Sequence, residues 1–283
     1  MINYPSRGKY SFLGLDAEPE EADVIIFPVP YDSTTSYKPG TRVGPRAIIL
    51  ASNEIETFDL ELKKDLSDLK ICTLPELEPD VDSPKATVEL VAKVVGQIIK
   101  LEKFPVMLGG EHTITIGAVK AASKHFENLT VLSLDAHADL RDSFQNSMYS
   151  HACTMRRCLE YCKKPVWVGV RSMSEEEHKL CKKKRFQIYQ KIDVNKIVNE
   201  CKENVYLTID LDVLDPSIMP GVGTPVPCGL SVQEVLALLK QLFRKKNVVA
   251  ADLVELIPFG ISEDIAAALL AKLVAYKFLL PSA

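Results

Sequence analysis

This 283-residue sequence lacks an excess of positive charge, a paired set of cysteines and an unbroken apolar run of membrane-spanning length. A formal net charge of −4 removes the electrostatic case for a nucleic-acid or anionic-membrane partner. The basic run Lys182-Lys183-Lys184-Arg185 fits the solvated end of a helix, where cations meet a favourable dipole. Seven cysteines, an odd number, argue against a disulfide framework and fit a reducing cytoplasm. Cys153, Cys158 and Cys162 contain no CxxC pair, and Cys158 and Cys162 read as helical neighbours rather than a zinc site. Cys72, Cys181 and Cys201 read as small apolar residues. The longest apolar stretch, 265–280, is broken by Lys272 and Lys277, which predicts a buried helix rather than a membrane span. The first ten residues are polar and show no secretory pattern, so a cytoplasmic location is expected. No repeat, low-complexity tract or linker divides the chain, which predicts one domain over residues 1–283.

What is present is a large apolar complement, 47% of residues, enough for one sizeable α/β core. Strand-like runs recur at 22–28, 69–74, 105–108, 129–134, 166–170, 186–189, 205–211 and 248–254. Helical patterns lie between most of them. Ser83-Pro84 opens one, since serine caps and proline suits the first turn, and apolar residues then recur at Val88, Val91, Val95 and Ile98. Ser231-Val-Gln-Glu234 is a capping box that opens another. Continuous apolar strands alternating with helices predict a parallel sheet covered on both faces. Eight strands could close a barrel or lie open, and both architectures place a site at the carboxyl ends of the strands.

Those ends carry the chemistry. Apolar runs lead into Gly109-Gly110-Glu111-His112, Asp135-Ala-His137-Ala-Asp139, Asp210-Leu-Asp212 and Glu255. Alternate residues of an extended segment share a side, so Asp135, His137 and Asp139 are expected to converge, as are Asp210 and Asp212. Four aspartates in one crevice repel one another and lose hydration, so they resist ionising unless cations neutralise them. Two divalent ions match four carboxylates in charge. An oxygen-rich set with only two imidazoles suits manganese(II) better than zinc. Two such ions about 3.5–4 Å apart share a water and lower its pKa toward neutrality.

The segments GGEHT (109–113), DAHADLRD (135–142), SHACTMRR (150–157), TIDLDVLDPS (208–217) and GVGTPVPCGLS (221–231) resemble the ureohydrolase family of arginases and agmatinases. The stretch VPYDSTTSYKPGTRVGPRAI (29–48) is most similar to the agmatinase branch. The resemblance implies an open three-layer α/β/α sandwich with a mostly parallel eight-stranded sheet. A metal-dependent barrel hydrolase would carry His-x-His on its first strand, and residues 22–33 have none. The resemblance also implies two Mn²⁺ per subunit. His112, Asp135, Asp139 and Asp210 would hold one; Asp135, His137, Asp210 and Asp212 would hold the other, with Asp135 and Asp210 bridging. His151 and Asp139 are the implied proton carriers, and Glu255 the implied acceptor of the substrate guanidinium. A homo-oligomer, trimer or hexamer, is implied as well.

The implied reaction is hydrolysis of a small guanidino substrate to urea and an amine. Agmatine to putrescine, a step of polyamine biosynthesis, is the expected case. The alternatives are guanidinobutyrase, arginase or formiminoglutamase activity, a zinc deacetylase of related fold, and an inactive metal-binding homologue. Three departures bear on substrate preference: Ala152 where many members carry glycine, Cys228 within a Pro-Gly-Gly-Leu-like turn, and Ile257 in place of a commoner asparagine. Gly169-Val-Arg171 is followed by Ser172 rather than an acid, which removes a partner for an α-ammonium. Arg141 stands where asparagine is expected and could bind a carboxylate, unless neighbouring Asp142 neutralises it.

Overall fold

The computed structural model describes residues 10–80 and 82–281, so most of the polar N-terminal segment lies outside the described residues. All eight strand-like runs form strands of one sheet: β1 (Val24–Val29), β4 (Ile71–Thr73), β5 (Phe104–Gly109), β6 (Leu129–Leu134), β7 (Val166–Val168), β8 (Gln187–Tyr189), β9 (Asn204–Asp210) and β10 (Asn247–Val254). Two further short strands, β2 (Phe58–Asp59) and β3 (Lys64–Asp65), pair antiparallel as a separate hairpin. The sheet order is β4-β1-β5-β10-β9-β6-β7-β8, and every neighbouring pair is parallel. The sheet is open, with helices on both faces, so it is the expected three-layer sandwich and not a barrel.

Strand alternation divides the apolar side chains between two cores. Val24 and Ile26 of β1 face α1 (Gly44–Ser52), α6 (Val194–Glu200), α7 (Val232–Lys245) and α8 (Ser262–Phe278), joining Ile48, Ile197, Leu238 and Leu270. Ile25 and Phe27 face α2 (Pro84–Lys100), α3 (Thr115–His125), α4 (Thr154–Cys158) and α5 (Glu175–Lys184), joining Val91, Val119, Met155 and Cys181. Burial of each such side chain contributes about 1.5–3 kcal/mol.

Helix starts follow the local chemistry. The Ser83 hydroxyl accepts from Ala86 N at 3.1 Å ahead of Pro84, and the helix buries Val88, Val91, Val95 and Ile98. Ser231 and Glu234 form the expected capping box of α7. Lys182–Lys184 occupy the last turn of α5, and α8 is largely buried. Among the described residues no helix is long and apolar enough to cross a membrane. No disulfide joins any of the seven cysteines; six are buried and Cys228 is exposed.

Candidate metal centre and substrate pocket

Strand order, more than any single strand, assembles the site. β5, β10, β9 and β6 are consecutive neighbours in the sheet, and their carboxyl ends carry His112, Glu255, Asp210 with Asp212, and Asp135 to Asp139. Parallel neighbours sit about 4.8 Å apart, so four adjacent ends bring all of these side chains into one crevice. Beyond β5 the chain passes close under the 29–34 loop. A Cβ on Gly110 would lie 1.9 Å from Tyr31 O, so only glycine fits there.

Alternation beyond the strands accounts for only part of the convergence. Asp135 and Asp139 both turn toward His112, but Asp139 does so from a left-handed backbone, φ 50°. His137 turns toward Asp212 instead. Asp212 lies in a 3₁₀ turn at 211–213, and its N–H donates to Asp210 Oδ1 at 2.9 Å. The extended geometry expected for these segments is therefore broken by the left-handed residue at Asp139 and by the 3₁₀ turn at 211–213.

Two donor groups result. His112, Asp135 and Asp139 form one, and Asp135, His137 and Asp212 the other, with donor atoms in each within 4.8 Å of one another. His112 Nδ1 is 3.2 Å from Asp135 Oδ2, 3.2 Å from Asp139 Oδ2 and 3.4 Å from Asp210 Oδ2. His137 Nδ1 is 2.9 Å from Asp212 Oδ2 and 3.6 Å from Asp135 Oδ1. Yet His112 Nδ1 and Asp135 Oδ2 are buried and make no hydrogen bond. Two donors held about 2.1 Å from one cation at a right angle stand about 3 Å apart. The two orphaned atoms thus have the spacing and the chemistry of neighbouring ligands on a shared divalent ion.

The electrostatics agree. Burial and the neighbouring acids push Asp210 well above the usual carboxylate range, and burial with Asp135 does the same to Asp139. Asp135 is held low despite its burial by His112 and His137. Burial opposes a charge on His137, but Asp135 and Asp212 outweigh it and push its pKa up to about 12. Carboxylates that hold the His137 imidazole protonated so strongly are short of cationic charge, which divalent ions would supply.

Beside the cluster opens a cavity of ≈ 250 Å³ lined by His137, Asp139, His151, Asp210, Thr224 and Glu255, with Ser36, Arg141, Phe144 and Ser172–Ser174 among its other walls. Glu255 enters it at the end of β10 with φ 68°, a left-handed conformation that costs about 1–3 kcal/mol for a non-glycine residue. Its N–H donates to Gly110 O at 2.8 Å, and its Oε1 accepts from His112 N at 2.7 Å. Burial and nearby Glu111 push the Glu255 carboxyl up, so a cationic guest would be favoured there. His151 Nδ1 is 3.3 Å from Thr34 Oγ1 and its Nε2 is 3.2 Å from Ser36 Oγ. Burial lowers its pKa, which leaves the ring neutral near pH 7.

The structure brings all eight anticipated side chains to one crevice and adds others that the sequence reading did not single out. Glu111, fully buried, accepts from Thr34 N and from the Thr34 and Thr113 hydroxyls, each at 2.6 Å, and so fixes the loop that carries Thr34 under His151. An acid inside GGEHT was the available signal. Arg171 donates to Asp212 O and Val226 O, each at 2.7 Å, tying the turn after β9 to the 221–231 loop. Of the two readings left open for Arg141, pairing with Asp142 is not what the structure shows: Asp142 pairs with Arg157 at 2.8 Å and Arg156 at 3.4 Å, because α4 packs those arginines against it. Arg141 instead lies over the Phe144 ring, 5.0 Å from its centroid.

Comparison with known proteins gives concordant results. A profile of the Arginase family matches residues 22–280. The chain is 38% identical over 290 residues to the N(1)-aminopropylagmatine ureohydrolase of Synechocystis sp., covering 96% of this chain and 95% of that protein. It is 37% identical to the agmatinase of Pyrococcus horikoshii, with 83% of this chain and 84% of that protein covered. The solved agmatine ureohydrolase of Thermoplasma volcanium superposes with a TM-score of 0.87 at 30% identity, covering 98% of this chain and 96% of the other.

Proposed function

The chain belongs to the arginase family of hydrolases acting on guanidino C–N bonds, and from that membership we propose that it is a manganese-dependent ureohydrolase whose substrate is agmatine. The observation that carries the reading is the pair of orphaned buried donors, His112 Nδ1 and Asp135 Oδ2, beside a cavity lined by Glu255. The assignment of His112, Asp135, Asp139 and Asp210 to one ion, and of Asp135, His137, Asp210 and Asp212 to the other, is part of the proposal. Manganese is favoured by four carboxylates against two imidazoles. Bound there, the ions would supply the Lewis acidity that makes water a nucleophile at neutral pH.

The chain's own residues account for the rest. The Glu255 carboxylate pairs with the planar guanidinium and holds its carbon toward the donor cluster. Water oxygen bonds to that carbon, and the bond to the substituted nitrogen breaks. Both water protons end on the departing nitrogen, so guanidinium and water give urea and an ammonium ion with charge conserved. Asp139 and neutral His151, both lining the cavity, would carry those protons. With agmatine the amine is putrescine, which places the reaction in polyamine biosynthesis. We take residues 1–283 as one catalytic unit, acting in the cytoplasm and assembled as a homo-oligomer, trimer or hexamer, as the family likeness implies.

A second reading is favoured by the relatives named N(1)-aminopropylagmatine ureohydrolase. That substrate presents the same guanidino end on a longer polyamine tail. Comparing kcat/KM for agmatine, N(1)-aminopropylagmatine, arginine and 4-guanidinobutyrate decides between them. Ser172 offers no charge for an α-ammonium, and each lost charge-assisted contact costs about 1.5–3 kcal/mol, so arginine should trail the best amine by about tenfold or more. Arginine as the best substrate would refute the assignment. Guanidinobutyrate as the best would make Arg141 a carboxylate anchor.

A further inference from the structure

Behind the metal-facing side of His112 runs a buried chain of hydrogen bonds that the reaction as described does not use. His112 Nε2 lies 2.9 Å from Thr208 Oγ1, and the Thr208 hydroxyl donates to Asp252 Oδ1 at 2.5 Å. Asp252 Oδ2 accepts from the Tyr206 hydroxyl at 2.5 Å and from the Thr115 hydroxyl at 2.9 Å. Thr208, Asp252 and Thr115 are wholly buried, and His112 and Tyr206 nearly so.

A hydroxyl carries one proton. Asp252 takes three hydroxyl donors, from Thr208, Tyr206 and Thr115, so it acts as the acceptor of this chain; with its one proton given to Asp252, Thr208 can meet His112 Nε2 only as an acceptor. Nε2 must therefore carry the ring hydrogen. In the neutral ring, the form that binds a cation, Nδ1 then presents its lone pair on the side of Asp135, Asp139 and Asp210. The opposite assignment would put the Nδ1 hydrogen where a cation would sit and would break the Thr208–Asp252 bond. The framework is rigid. Thr208 and Asp252 are register partners on the central strands β9 and β10, Tyr206 is two residues back on the same face, and Thr115 opens α3 above them.

We infer that Thr208 and Asp252 are positioning residues that select the His112 tautomer able to bind a divalent cation through Nδ1. The inference rests on the two-ion reading above. Ligating imidazoles are commonly oriented in this way, and loss of such a partner costs about 10–100-fold in metal affinity.

The test is manganese titration of the chelator-stripped full chain, following free Mn²⁺, for wild type, Thr208→Val and Thr208→Ser, with thermal unfolding of each metal-free protein measured alongside. Valine keeps the shape and removes the hydroxyl; serine keeps the hydroxyl. The expected result is that Thr208→Val weakens one of two manganese sites about 10–100-fold, while Thr208→Ser stays close to wild type. Should the valine variant not fold, Asp252→Asn serves in its place. Its amide can donate to Thr208 and free that hydroxyl to donate to His112, so the same site should weaken. Wild-type affinity at both sites in Thr208→Val overturns the inference. So does equal weakening by serine and valine, which would make side-chain shape the cause. A wild-type chain that takes up no manganese overturns the two-ion reading and this inference with it.

Discussion

Glu255 sits in a conformation that a glutamate ordinarily avoids, and its surroundings account for that. The Gly110 carbonyl takes its N–H, its Oε1 takes the His112 N–H, and the rest of the carboxylate faces the cavity. Glu255→Gln keeps the shape and removes the charge. It should lower kcat/KM by tenfold to about a hundredfold, the worth of one charge-assisted contact at about 1.5–3 kcal/mol, and leave bound metal near wild type. Steady-state kinetics with metal analysis of the same sample checks this; loss of metal would make Glu255 a ligand or its support. Aspartates and histidines following apolar runs were legible because a buried strand does not end on clustered acids without cause. Glu111, Asp252 and Arg171 were not. Their partners lie far along the chain: 77 residues separate Glu111 from Thr34, and 44 separate Asp252 from Thr208. The left-handed backbone at Asp139 and Glu255 was likewise hidden, since neither is a glycine.

The β2–β3 hairpin shows what a short element needs in order to persist. Its strands are two residues each, too short to carry a readable alternation. Side chains anchor it to two helices. Glu61 accepts from Lys240 of α7 at 2.5 Å, and from Lys272 and the Tyr276 hydroxyl of α8, each at 2.8 Å; Asp59 also pairs with Lys272 at 2.8 Å. The Lys240 and Lys272 bonds hold the Glu61 carboxyl down to about 2 from an ordinary 4.5. A carboxylate depressed in the folded state contributes stability above its unfolded pKa and loses it as pH falls through the folded value. Glu61→Gln should therefore lower the melting temperature near pH 7, by about 1–3 °C for a partly exposed pair worth up to about 1 kcal/mol. That difference should shrink between pH 4.5 and about 2. A gap of constant size across that range would show that shape, not charge, anchors the hairpin. The eight sheet strands were legible for the opposite reason, since strands buried on both faces leave continuous apolar runs.

How the strands are ordered is the feature on which the site depends, and apolar patterning does not encode it. β9 and β10 are late in the chain yet insert between β5 and β6, and only that insertion sets His112, Glu255, Asp210 and Asp135 at adjacent strand ends. Barrel and open sheet were both compatible with eight alternating strands; the motif resemblance separated them, and the open sheet with helices on two faces agrees with it. The substrate was legible only as far as the guanidino end. The cavity walls beyond Glu255, including Arg141 over Phe144, come from loops whose side-chain directions no periodicity predicts. If the side chains at these strand ends hydrolyse a guanidino group with the help of paired divalent cations, urea release from agmatine must follow manganese as it is added stepwise to chelator-stripped protein. Activity should be near zero without metal and rise until two equivalents per chain are bound. Full urea release from the metal-free chain would contradict the account.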